Sequence, residues 1–280
     1  MNEPDAAPAG SQPAPSNLVL RVLAGVVLAP LAIALAYAGG WLWALLVTLV
    51  SIGLFAEWLM VVGASSVALT GAGTIVIAIV GFCTAFGALK TAVISGFIGG
   101  AIVTLIARRK FFWAATGFAY ASAALLASIL LRQDLVNGFA ALMFVLLVVW
   151  ATDIGGYFAG RSIGGPKLWP RVSPKKTWSG ALGGFAASLA VAAGFAACGI
   201  GKAVPLLLVS AVLSVVSQFG DLFESAVKRR FGVKDSSHLI PGHGGLMDRL
   251  DGFVAAILAA WIIGFLRHGV HSAGSGLVVW

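Results

Sequence analysis

Charge is what this sequence has least of. Only 10% of its 280 residues are charged and just ten are acidic, against 60% hydrophobic residues. With so little polar surface to present to water, no soluble domain, linker or coiled coil is legible in it. Cysteine is scarcer still. Cys83 and Cys198 both fall inside apolar runs, which argues against a disulfide framework or a zinc site and leaves both as small buried hydrophobes. Residues 1–16 are Pro- and Ala-rich and hold no apolar stretch, so they read as a disordered tail. They also lack the basic, apolar and cleavage regions of a secretory leader, and no cleaved signal peptide is expected.

What is present, from Leu18 onward, is a succession of long apolar runs. A spanning helix needs about 20 apolar residues, and the runs show no period-2 alternation, which argues against a β-barrel. The expected fold is an all-α, polytopic membrane helix bundle occupying 17–280. Nine spans are expected, near 18–38, 41–62, 67–89, 91–107, 112–131, 136–158, 179–200, 203–223 and 252–268, with Lys90 as the divider between the third and fourth. With the N-terminus inside, fourteen Lys and Arg residues fall on the inner side and four, Lys90, Arg132, Lys202 and Arg267, on the outer. That bias places a basic loop at 159–178 and a charged segment at 217–251 on the cytoplasmic face. The net charge of +8 then reflects orientation and anionic headgroups, with no nucleic acid needed to explain it.

The segment Ser217–Asp251 holds five of the ten acidic and five of the eighteen basic residues. On a helix, Ser217, Asp221, Glu224, Ser225 and Lys228 share one face. Pro241-Gly242 breaks the chain, Gly244-Gly245 lets it turn, and Asp248, Arg249 and Asp251 follow. Two acidic clusters brought back across a glycine-rich turn suit a hard divalent cation and the phosphates it carries. Taken singly, each residue has a plainer reading: Glu224 and Lys228 as an i,i+4 pair, His238 as an interfacial residue. His238 and His243 without a third ligand make a weak metal site.

The run Ser225-x2-Lys228-Arg229-x4-Lys234-Asp235-x5-Pro241-x-His243-Gly244-Gly245-x2-Asp248-Arg249-x-Asp251 resembles the signature of the phosphatidate cytidylyltransferases, or CDP-diacylglycerol synthases. A second stretch, Asp153-Ile154-Gly155-Gly156-Tyr157 followed by Ser173-Pro174-Lys175-Lys176-Thr177, is similar to the same family; Ser179 departs from it, standing where an acidic residue is expected. Asp153 lies late in an apolar helix, where an acid is costly without a partner. The loop after it carries Arg161, Lys167, Arg171, Lys175 and Lys176 with no acid among them. Gly160–Lys167 is not a P-loop: Pro166 removes a backbone donor, no Ser or Thr follows the lysine, and a membrane helix precedes it. Trp169 and Trp178 flank the paired lysines. Thr177 or Ser179 caps the next helix in the plainer reading, and Gly180 and Gly184 serve helix packing. Glu57, late in the second span, either lines the polar cavity, pairs with a cation, or reaches the interface.

The resemblance implies transfer of the cytidylyl group of CTP to phosphatidate, releasing pyrophosphate. An ionised phosphate oxygen needs no strong base, so the task is to join two polyanions and stabilise an in-line displacement. Asp221 and Asp248 are the expected ligands of Mg2+, with Asp251 and Asp153 in reserve and a second cation left open. Lys228, Arg229, Lys234 and Arg249 would neutralise the triphosphate, and His243 would serve the leaving group or orient Asp248. Lys175, Lys176 and Thr177 would hold phosphate, and Ser225, Asp235, Gly244 and Gly245 complete the substrate-binding set. CTP, phosphatidate and membrane lipids are the implied partners, a homodimer is left open, and the implied setting is a bacterial inner membrane. A CTP-dependent lipid-alcohol kinase would release CDP instead. An ion-coupled transporter would show related halves with broken helices, which the sequence does not display, and the Asp-Gly-x2-Ala-Arg pattern of the CDP-alcohol phosphotransferases is absent.

Overall fold

The computed structural model describes residues 29–237 and 244–280. The N-terminal tail, the first part of the first expected span, His238 and His243 therefore lie outside the described residues. Helix α1 (Ala29–Ala38) is followed by α2 (Gly40–Val61), α3 (Val67–Ala85), α4 (Leu89–Ala107), α5 (Phe111–Arg132) and α6 (Gly138–Ile163). A two-stranded hairpin, β1 (Lys167–Trp169) and β2 (Ser173–Thr177), leads into α7 (Trp178–Ala197), α8 (Ala203–Arg230), α9 (Met247–His268) and the short α10 (Ala273–Val278).

Seven helical stretches among the described residues are long and apolar enough to cross a membrane. One of them, Leu89–Arg132, is α4 and α5 joined through a 3-10 turn at Arg108–Lys110. The all-α membrane bundle is therefore the architecture, with the expected spans two to nine corresponding to α2–α9.

Three boundaries differ from expectation in the same direction. Helices α6 and α8 run on to Ile163 and Arg230, and α9 begins at Met247, because a hydropathy run stops at the first polar residue whereas a helix ends only where its backbone bonding does. Much of the charged 217–251 segment is thus helical, and Asp153 lies well inside α6 rather than near its end. The divider between α3 and α4 is not Lys90, which sits in the first turn of α4, but Gly87, whose φ of +77° reverses the chain. The basic loop 159–178 is largely the end of α6 plus the hairpin, with Lys167 paired to Thr177 and Trp169 to Ser173.

Helices α2–α5 pack on one another in sequence, as do α6–α9, and α5 against α9 joins the two groups. Trp58, Phe55, Phe144 and Leu142 are fully buried at the centre, and the Trp58 indole donates to Trp113 O at 2.8 Å. The ends of α2, α4, α6 and α8 gather at one face: Lys110 donates to Val62 O and Gly63 O, and Arg230 stacks over Trp113. Glycine permits close backbone contact between α6 and α7. A Cβ on Gly155 would stand 2.6 Å from that of Ala187, and one on Gly180 would stand 2.8 Å from Gly156 O, so the small-residue pattern serves backbone approach.

At the opposite face Arg132 donates to Ala36 O and Tyr37 O. Asp134 accepts from the N–H groups of Val136, Asn137 and Ser275, tying the α5–α6 turn to α10.

Candidate active site

The α6–α7 glycine contact, the hairpin above it and the ends of α8 and α9 enclose an open cavity of about 780 Å³. Asp153 reaches it from α6, Asp221 from α8, and Asp248, Arg249 and Asp251 from α9. Lys175, Lys176 and Thr177 enter from the hairpin. Eight of the residues singled out in the sequence, spread over a hundred positions, therefore line one space.

The helical face expected to hold Ser217, Asp221, Glu224, Ser225 and Lys228 divides into two. Asp221 looks towards the hairpin, where it forms an ion pair with Lys176 and accepts from Ser225 Oγ at 3.3 Å. Glu224 and Lys228 turn inward, with Glu224 Oε1 2.8 Å from Lys228 Nζ. The same ammonium lies 2.5 Å from Asp248 Oδ1. Lys228 thus sits between two carboxylates, with two of its three donors assigned.

Asp248 is held more tightly still. Its Oδ2 accepts from Ser236 N and Gly245 N, both at 2.9 Å, and from Ser236 Oγ at 3.1 Å. Lys228 holds Oδ1, and the single Ser236 hydroxyl proton is shared between Asp248 Oδ2 and Glu57 Oε2. Asp248 thus ties Ser236 and Gly245 to Lys228.

The residue behind this arrangement is Glu57, which is 1% exposed. It accepts from Ser236 Oγ (2.8 Å), Ser237 Oγ (2.7 Å), Leu246 N (2.8 Å) and Met247 N (2.7 Å). The last two belong to the start of α9, where unpaired N–H groups and the helix dipole favour an anion. Among the described residues Glu57 therefore neither lines the cavity nor pairs with a cation, and it is buried rather than at the interface; it anchors Ser236, Ser237 and the start of α9 from a distant helix. Gly245 must be glycine here, because a Cβ would stand 2.5 Å from Glu57 Oε2.

On the hairpin side, Thr177 accepts from Gly180 N at 3.1 Å as the cap of α7 and also faces the cavity. Ser179 bonds Gly164 O and Thr177 Oγ1, fixing the hairpin base to the end of α6. Tyr157, Arg161 and Gln218, which the sequence reading did not select as site residues, line the cavity, and Arg161 donates to the Tyr157 hydroxyl at 2.9 Å. Tyr157 and Arg161 stand four and eight positions after Asp153, so helical spacing was the signal that could have found them.

Arg229 donates to Val233 O and closes the end of α8. Ser225, Lys228, Arg229, Lys234, Asp235, Gly244 and Gly245 are not among the cavity-lining residues; Lys228 is buried, and Lys234 and Asp235 are exposed. Gly244 takes φ +82° at the turn into α9.

Asp153, Asp221 and Asp251 come from three helices and act on one another electrostatically. Among the described residues no three His, Cys, Asp or Glu side chains form a metal cage by themselves. Hard carboxylates too few to complete a shell fit magnesium, which keeps substrate phosphates and water among its ligands.

The model of the cytidylyltransferase family matches residues 19–266. The chain belongs to that family. It is 41% identical to the phosphatidate cytidylyltransferase of Brucella suis over 268 residues, covering 92% of this chain and 98% of that one. It is 42% identical to the Brucella melitensis protein of the same name over 269 residues, again 92% and 98% of the two chains. With the Bacillus subtilis phosphatidate cytidylyltransferase it shares 45% identity over 120 residues, 42% of this chain and 44% of the relative. The chain is a membrane-embedded nucleotidyltransferase.

Proposed function

We propose that this protein transfers the cytidylyl group of CTP to phosphatidate, producing CDP-diacylglycerol and pyrophosphate at the cytoplasmic face of a bacterial inner membrane. The observation that carries this reading is one cavity whose walls carry opposed charges, lysines from the hairpin on one side and carboxylates from α6, α8 and α9 on the other. It stands at the end of the bundle where Lys110, Arg230 and the hairpin cations gather, the side that positive charge selects as the inner one. Near-full-length similarity to proteins named for this reaction supports the substrates.

The lipid phosphate is already an anion near neutral pH, so no side chain has to remove a proton from it. Lys175, Lys176 and Arg161 attract and align phosphate groups, and Arg249 adds positive charge near the carboxylates. Lys228, buried outside the cavity lining between Glu224 and Asp248, fixes Asp248 in place, so that this wall needs no reorganisation as charge develops on the departing pyrophosphate. Held by Asp221 with Asp251 and Asp153 beside it, a magnesium ion would neutralise the α-phosphate and the leaving group. Asp248, the other ligand expected from the sequence, serves this centre by fixing α9 and Lys228. His243 keeps the leaving-group role as part of the same proposal.

The test is pyrophosphate release by purified protein in detergent with CTP and phosphatidate, with and without Mg2+, beside Asp221→Asn. Lipid- and metal-dependent pyrophosphate that falls by about a thousandfold in the variant is expected. CDP released on a lipid alcohol instead would replace the reading with a kinase, and flux into liposomes without chemistry would replace it with transport.

A further inference from the structure

Beside the polar cavity lies a second one of quite different character. This groove, of about 500 Å³, runs between α7 and α8. Trp178, Leu182 and Phe185 form one wall, Phe219 and Leu222 the other, and Trp169 of β1 stands at its hairpin end. Trp178, Leu182 and Phe219 are each more than half exposed. The site described above uses none of these six side chains.

The groove and the polar cavity share Leu168, Ala181 and Gln218, so they are one continuous space with a chemical boundary. Gln218 marks that boundary, its amide donating to Ala181 O and Ser214 Oγ. Across it the lining changes from aspartates and lysines to hydrocarbon and aromatic rings. A ligand filling both parts is an anion at one end and a hydrocarbon at the other. A nucleotide alone has nothing to place between Leu182 and Phe219.

We infer that the α7–α8 groove holds one acyl chain of the lipid substrate, with Trp169 and Trp178 fixing the depth at which its phosphate enters the cavity. This rests on the reading of phosphatidate as the nucleophile. The groove is a single slot between two helices, so the second chain stays in the bilayer.

Hydrophobic gain is not what it supplies. A chain entering from the bilayer leaves surroundings as apolar as the groove, so the transfer itself contributes little. The contribution is alignment: a chain laid along α7 and α8 directs its headgroup past Gln218 towards Lys176 and Asp221. Tryptophans at the polar-apolar border suit that task, since an indole sits stably at headgroup depth.

The first experiment uses phosphatidate carrying a diazirine in one acyl chain, photolysed with the full chain in lipid nanodiscs without CTP. Adducts on Leu182, Phe185 or Phe219 that unlabelled phosphatidate displaces and phosphatidylcholine of the same chains does not are expected. Adducts elsewhere, or equal displacement by both lipids, overturn the inference, because the groove would then be ordinary lipid-facing surface. The second experiment compares kcat/KM for dioleoyl and dihexanoyl phosphatidate in wild type and Leu182→Trp. Overfilling the slot is expected to lower the long-to-short ratio by about tenfold, and an unchanged ratio overturns the inference. Cross-linking requires no turnover. Labelling in the groove by a protein that makes no pyrophosphate sinks the proposed reaction alone, and pyrophosphate with labelling elsewhere sinks the groove alone.

Discussion

The two walls of the cavity are built on opposite plans. Behind the α8–α9 wall, Glu57, Glu224, Lys228, Ser236, Gly245 and Asp248 form a buried hydrogen-bonded network that meets the cavity at Asp248, with Glu224 Oε2 left unpartnered among the described residues. On the hairpin wall, Lys176 reaches Asp221 across partly open space, with the two side chains 30% and 24% exposed. One wall is fixed before any ligand arrives; the other is held by a contact that a phosphate or cation can replace. A rigid wall presents charge without reorganisation, and a yielding wall lets bulky polyanions enter. The lesson is that ionic contacts within one site do different work according to how far water reaches them.

Breaking the rigid wall should give the larger effect. Glu57→Ala strips an acceptor from two hydroxyls and two backbone N–H groups in a buried setting, a loss of about 3–5 kcal/mol. Thermal unfolding in detergent is expected at clearly lower temperature, with cytidylyl transfer falling in parallel although Glu57 touches no substrate. Glu57→Gln, which keeps one acceptor oxygen, should recover part of both. An alanine variant with wild-type stability and activity would show the network to be dispensable.

Lys176→Met tests the yielding wall. Substrate KM is expected to rise about tenfold with loss of one phosphate contact, while the unfolding temperature stays close to wild type, because a partly exposed ion pair contributes about 0–1 kcal/mol. Stability falling as far as in Glu57→Ala would erase the distinction between the walls.

The smallest effect sharpens the comparison from the far side of the bundle. Asp134, like Glu57, is buried and takes backbone N–H groups, but it stands remote from the cavity. Burial pushes its carboxyl up, yet hydrogen bonds from Asn137, Ser275 and Val136 outweigh this and hold it below the usual range. A depressed folded pKa stabilises the fold above the unfolded value of about 3.9 and loses that contribution as pH falls through the lower folded value. Asp134→Asn should therefore lower the unfolding temperature by about 3 °C at pH 7, with no change in KM, and the gap to wild type should close in strong acid. A gap independent of pH would assign the effect to packing.

Much of this was legible in the chain itself. Apolar run length fixed the helices from α2 to α9 and the all-α class, though not the short α10, because a bilayer leaves few other ways to satisfy a backbone. The spacing of Asp153, Asp221, Asp248 and Asp251 and of the paired lysines nominated most of the charged residues of the cavity, since charge is too costly near apolar helices to be casual. Helix ends were less legible: α6, α8 and α9 carry their helical bonding past the point where hydropathy stops. The roles of individual acids were legible least. Glu57 and Met247 stand 190 positions apart, and no local pattern records that one caps the other.

The sequence alone thus determined the membrane helices, their order and the residue types available for phosphate chemistry, because those depend on composition and on spacing along one helix. The tertiary structure decided which acids face the cavity and which are consumed in holding it. Asp221 and Glu224 lie three residues apart on α8, yet one meets a replaceable lysine and the other a buried one. That difference arises from what packs against each side of the helix, a property of the neighbouring elements rather than of the helix itself.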